Sequence, residues 1–228
     1  VFNTQLREGS THAAIQSLHL ALKSTKLKSN ELVSLARKHK EFPEFVLIFL
    51  QYAGLSPAQW LAEGDYWFQE GKYSLSSYCH QSSKLPYVEW TSLIDTKVAD
   101  KQFELAFHYA QVAKLNLEGW TKLGHQILHQ TQALNTWVHC VNSTFASQGD
   151  RWKKIISNAF QNNFLQLGIW VLCFSESEFC QYLDHAKNML HAGKTAASKC
   201  LLESYQLPNT SPEGMENHWK QYADKQLA

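Results

Sequence analysis

Trp60, Trp90 and Trp120 lie thirty residues apart, and each opens a stretch with the apolar spacing of the first helix of a two-helix hairpin. A period of thirty-odd residues constrains the fold more than any other feature here, because hairpins that cannot bury their apolar faces alone do so by stacking on their neighbours. The expected architecture is all-α: a right-handed superhelical array, or α-solenoid, of about five to six antiparallel helical hairpins. Such arrays expose a long surface and mostly hold other macromolecules.

The rest of the chain fits one continuous array. No Pro-rich, Ser/Gly-rich or like-charge run interrupts its 228 residues before about Leu207. A single helical-repeat domain is therefore expected over 1–207, with its clearest repeats at 56–146. Hydrophobic residues make up 44% and aromatic residues 13%, enough for a packed core and too much for a disordered chain. Five prolines and ten glycines are too few for the turns of a β-rich protein this long.

Twenty-one basic against twenty acidic residues leave a formal net charge of +1, so no strong overall field draws the chain to nucleic acid or to a membrane. The most apolar windows, 42–55 and 165–174, are about a dozen residues long where a membrane span needs roughly twenty, so they read as buried helices. The sequence starts at Val1 with neither an initiator Met nor a basic-then-apolar leader, and reads as a piece of a longer protein. Cys79, Cys140, Cys173, Cys180 and Cys200 are odd in number and scattered through helical patterns. They suggest reduced, buried thiols in an intracellular setting, cytoplasmic or nuclear. In that setting the triplets beginning at Asn142 and Asn209 are chance matches to a glycosylation acceptor.

Local signals place the helices. Ala14, Leu18, Ala21 and Leu22 recur at helical spacing over 10–24; a second helix follows over 29–39 and a third over 43–53, with Pro43 in its first turn and Gly54 at its stop. The run from Phe45 to Leu50 is too apolar to face water on any side and predicts a helix sandwiched between neighbours. Ser56-Pro57-Ala58-Gln59 combines a capping Ser, a first-turn Pro and a Gln able to reach back to the cap. Phe103, Ala106, Ala110 and Ala113 set small residues along one stripe, where a second helix can approach closely. Trp152 leads a fourth unit, and a fifth without a leading Trp runs over 175–205. Pro208 and Pro212 then set off 208–228, whose amphipathic stretch 213–227 suits a polar capping helix.

Two hairpin families share parts of this pattern, over roughly residues 55–145. Trp60, Gly64, Gly71 and Tyr73, and again Trp90, Leu93, Phe103, Ala106, Ala110 and Ala113, resemble tetratricopeptide repeats, with Ile94 standing where that family has Gly or Ala. That resemblance implies a protein-binding array. The stretch 85–95, from Leu85-Pro86 to Ile94-Asp95, followed by Phe103-Glu104-Leu105-Ala106, resembles a pentatricopeptide repeat, which implies binding of single-stranded RNA. In that family the polar residue after the helix-opening aromatic helps to read a base. Leu61, Thr91 and Thr121 occupy the matching positions, and Leu61 departs from the pattern.

Few residues announce chemistry. His125 and His129 have the i, i+4 spacing of a zinc motif but lack its adjoining Glu, and no further ligand cluster supports them, so no metal and no cofactor is expected. No nucleophile elbow, phosphate-binding Gly-rich loop or paired carboxylates are present, which argues against an enzyme. Two compact basic clusters remain: Arg37, Lys38 and Lys40 around His39, and Arg151, Lys153 and Lys154 around Trp152. The first closes a helix, where cations complement the macrodipole, whereas the second opens one and interleaves an aromatic, as nucleic-acid surfaces do.

Together these features suggest a non-catalytic scaffold that binds a protein or peptide partner through the groove lined by its first helices. The alternative is a pentatricopeptide-like RNA-binding module using Arg151, Lys153, Lys154 and Thr91, with Thr121 as a further candidate binding residue. Self-association through an exposed end hairpin is a further option.

Overall fold

The structure, a computed structural model, describes residues 11–175 and 179–191 together with Ser198 and Leu201. All regular structure among the described residues is helical. Among the described residues twelve helices follow one another: α1 Thr11–Ser24, α2 Ser29–Lys38, α3 Pro43–Tyr52, α4 Pro57–Gln69, α5 Tyr73–Ser82, α6 Tyr87–Ala99, α7 Phe103–Val112, α8 Leu117–Gln126, α9 Thr131–Thr144, α10 Arg151–Gln161, α11 Leu165–Phe174 and α12 Phe179–His191. None is long and apolar enough to cross a membrane. The expected fifth hairpin lies only partly within the described residues, and the expected capping helix at 208–228 lies outside them.

The thirty-residue period is carried by the helix starts. α4, α6 and α8 begin at Pro57, Tyr87 and Leu117, so Trp60, Trp90 and Trp120 are each the fourth residue of their helix. The turns obey the same period. Gly54, Lys84 and Lys114 end the connections out of α3, α5 and α7 with φ of 59°, 52° and 51°. Gly71 and Lys101 do the same after α4 and α6, with φ of 70° and 59°. A residue in the left-handed region is the usual way to stop a helix and reverse the chain, and glycine takes that conformation without the Cβ clash that lysine carries.

The described residues fall into two compact units that divide between Tyr87 and Val88. In the first, α3 packs against both α1 and α2, and α4 packs against α5. Phe45, Val46, Ile48, Phe49 and Leu50 are all buried, as the apolar run in α3 predicts for a sandwiched helix. The Ser56 capping box is formed: Ser56 Oγ accepts from the Gln59 N–H at 3.3 Å, and Gln59 Oε1 accepts from the Ser56 N–H at 2.9 Å. The three tryptophans are not equivalent. Trp90 and Trp120 are buried, whereas Trp60 is half-buried against Tyr78, and Trp67, one heptad later, is the fully buried side chain of α4.

In the second unit α8 contacts α9, α10 and α11, while α7 packs on α9 and α10 on α11. Ala106 and Ala110 are wholly buried, in keeping with the close approach that the alanine stripe predicts. Rings fill the remaining space: Trp90 meets Tyr109 edge-on at 5.2 Å, and Phe107 stacks over Trp120 at 6.4 Å. Cys79 and Cys140 are buried free thiols. Burial, aided by the Glu63 charge, pushes Cys79 up to about 12, and burial alone pushes Cys140 up to about 11, so neither is a nucleophile at neutral pH. The side chains of Cys173, Cys180 and Cys200 lie outside the described residues.

Candidate functional site

The described surface has a cavity of about 400 Å³ in the first unit, between the first helices of successive hairpins. α2 supplies Ser29, Asn30, Val33, Ser34 and Arg37, and α4 supplies Gln59, Ala62 and Glu63, with Leu55 from the turn before α4. The geometry follows from the repeat: when hairpins stack, their first helices line up side by side and leave a trough between them.

An ion pair lines the trough. Arg37 donates from Nη2 to Glu63 Oε1 at 2.6 Å and from Nε to Oε2 at 3.4 Å, and its guanidinium lies 4.1 Å from the centre of the Tyr66 ring. Glu63 is 5% exposed, so this pairing is what allows a carboxylate to sit there. A second pair, Lys40 to Glu70 at 2.7 Å, links the ends of the same two helices and raises the Lys40 pKa, chiefly through that hydrogen bond. The second unit repeats the device: Asp95 of α6 accepts from Lys122 at 2.7 Å and from Gln126 at 2.9 Å, both on α8. Burial pushes the Asp95 pKa up, but the hydrogen bonds from Lys122 and Gln126 outweigh it and leave the carboxyl below its ordinary value.

Most of the candidate binding residues already have partners. Arg37 and Lys40 are paired as above, and Lys38 is exposed beside them. Arg151 donates twice to Asn142 Oδ1, at 3.0 and 2.7 Å, and once to the Gln148 carbonyl at 3.0 Å, fastening the start of α10 to the end of α9. Lys154 pairs with Asp150 at 3.1 Å. The Arg151 charge that opens α10 thus has a structural use, while Lys153 and Lys154 are both exposed. Thr91 donates to the Val88 carbonyl, and Thr121, wholly buried, donates to the Leu117 carbonyl. A buried hydroxyl already bonded to its own helix reads no base.

Other chemistry-bearing groups are enclosed. Ser76 Oγ lies 3.4 Å from His80 Nδ1, and His80 Nε2 lies 3.1 Å from Asp65 Oδ1, a Ser–His–Asp order. Ser76 and His80 are wholly buried, so no substrate reaches the hydroxyl. His125 lies flat on Phe164 at 4.1 Å, and His129 is exposed one turn on. Among the described residues no group of three His, Cys, Asp or Glu side chains converges to hold a metal ion.

Sequence reasoning expected a groove lined by the first helices but missed Glu63 and its pairing with Arg37. A signal was present: opposite charges recur about one repeat apart on or just after successive first helices, Arg37 with Glu63, Lys40 with Glu70 and Asp95 with Lys122. Compared with known proteins, the sequence matches no family model and no curated relative.

Proposed function

We propose that the hairpins build a right-handed superhelical array, an α-solenoid, that acts as a non-catalytic scaffold and binds a peptide segment of a partner protein. The observation that carries this reading is the trough between α2 and α4, a concave site with apolar walls and a few polar groups, as peptide and ligand sites have. The regular thirty-residue spacing of helix starts supports the array. The engagement of Arg151 with Asn142 and of the buried Thr121 with its own helix weighs against RNA, which needs cations free to displace counterions from phosphates.

Two binding experiments test it. A filter-binding titration with mixed-sequence single-stranded RNA at near-physiological salt is expected to show no binding at micromolar protein; tight, steeply salt-dependent binding contradicts the reading. Selection from a random peptide library is expected to yield binders whose affinity falls about tenfold or more in V33E, which puts a charge on the trough wall. A selection that yields no binder contradicts it equally.

A further inference from the structure

The hydrogen-bonding groups of the trough are asymmetric. Every carboxyl and amide oxygen lining it is already engaged: both Glu63 oxygens accept from Arg37, Asn30 Oδ1 accepts from the Glu31 N–H at 3.0 Å, and Gln59 Oε1 accepts from the Ser56 N–H. Among the described residues, Asn30 Nδ2, Gln59 Nε2 and Arg37 Nη1 have no partner. The free amide and guanidinium groups of the trough are therefore donors, set beside the Ser29 and Ser34 hydroxyls and around the apolar surface of Val33, Leu55 and Ala62.

An occupant must answer those donors with acceptors. A helical peptide does so poorly, since its carbonyls are spent on its own N–H groups. A phosphate or other polyanion does so poorly as well, since the cation present is neutralised by Glu63. An extended main chain fits both features: its carbonyls point outward unspent, and alternate side chains face the wall.

We propose that the trough between α2 and α4 binds an extended peptide segment, with main-chain carbonyls accepting from Asn30 and Gln59 and one aliphatic side chain seated against Val33, Leu55 and Ala62. This inference rests on the peptide-binding reading above and specifies its mode. A volume of about 400 Å³ holds a short stretch of the segment, so the contact is sequence-tolerant along the main chain and selective at the aliphatic position.

The test uses two isosteric variants. N30D and Q59E each exchange the free NH2 donor for an oxygen while keeping the oxygen that bonds Glu31 or Ser56, so the helix starts are preserved. Peptides selected from a random dodecamer library are resynthesised and titrated against the parent chain, N30D, Q59E and V33E, with an unfolding temperature recorded for each. The expected result is a loss of about tenfold or more in N30D and in Q59E at unchanged unfolding temperature, and a comparable loss when the aliphatic anchor of the peptide becomes Ser. If V33E abolishes binding while N30D and Q59E bind within about twofold of the parent, the donor clamp is overturned and the peptide-binding reading stands. If the selected peptides ignore all three variants, the trough is not the site; if no peptide is selected, the reading beneath this one falls as well.

Discussion

The Trp137 indole N–H donates to the carbonyl of Trp120 at 2.9 Å, wholly inside the α8–α9 hairpin. The contact exists because position 124 is glycine: a Cβ there would lie 2.6 Å from the Trp137 ring. In the first unit Gly64 plays the same part against the His80 ring. A bare residue on a first helix thus receives a ring from the second, and this sets how closely each of these hairpins closes.

G124A is expected to destabilise the chain by about 1–3 kcal/mol, because the added methyl drives a locked indole out of place. W137F, which keeps most of the ring and loses the hydrogen bond, is expected to cost about 1 kcal/mol. Urea unfolding of both variants checks this; G124A at parental stability would show that the hairpin is looser than described.

Lys84, Lys101 and Lys114 hold left-handed conformations that glycine holds at Gly54 and Gly71. Left-handed backbone costs an L residue roughly 1–2 kcal/mol, so K84G, K101G and K114G are each expected to stabilise by about 1 kcal/mol after the greater freedom of unfolded glycine is counted. Thermal unfolding measures it. A fall in stability at all three would contradict the turn geometry.

Arg37 and Glu63 form a pair in which the acid is the more deeply buried partner. Removing Arg37 alone leaves a buried carboxylate uncompensated, so R37A is expected to cost about 3 kcal/mol, at the low end for such pairs because Arg37 is part-exposed. The double variant R37M/E63M is expected to lie closer to the parent than R37A does. Equal losses in the single and double variants would mean that the pair does not couple.

His125 carries the pH dependence that the geometry makes clearest. Burial first, and the neighbouring His129 second, hold its pKa below the ordinary 6.5, and its Nδ1 is buried without a partner. A lowered histidine pKa means that the folded chain binds fewer protons than the unfolded one in the window below 6.5. Its contribution is therefore intact above that value and is lost as pH falls toward the folded value. His39 and His185 are lowered as well, both mainly by burial. Stability is expected to decline from about pH 7 to pH 5, with a shallower decline in H125F, which keeps the stack on Phe164. An unchanged slope in H125F would remove His125 from this role.

Helix positions were legible in the sequence because their signals are local. The capping box at Ser56, the prolines at 43 and 57 and the apolar run in α3 each depend on residues within one or two turns. The thirty-residue period of the tryptophans was legible too, although periodicity alone did not show that Trp60 would be half-buried with Trp67 fully enclosed. The site was harder. Whether a lysine or arginine is free or spent depends on which residue lies opposite it one repeat away, and the pairing of Arg37 with Glu63 spans 26 positions. Arg151 shows the same limit at shorter range: a cation at a helix start looks unexplained until Asn142, from the preceding helix, is placed against it.

Hydrogen exchange of the full chain, alone and with a selected peptide, tests the central claim most directly. The expected result is slowed exchange in α2 and α4, centred on Asn30–Arg37 and Gln59–Glu63, with α10 unchanged. Protection centred on Arg151–Lys154, or a peptide that slows exchange without touching α2 and α4, would contradict it.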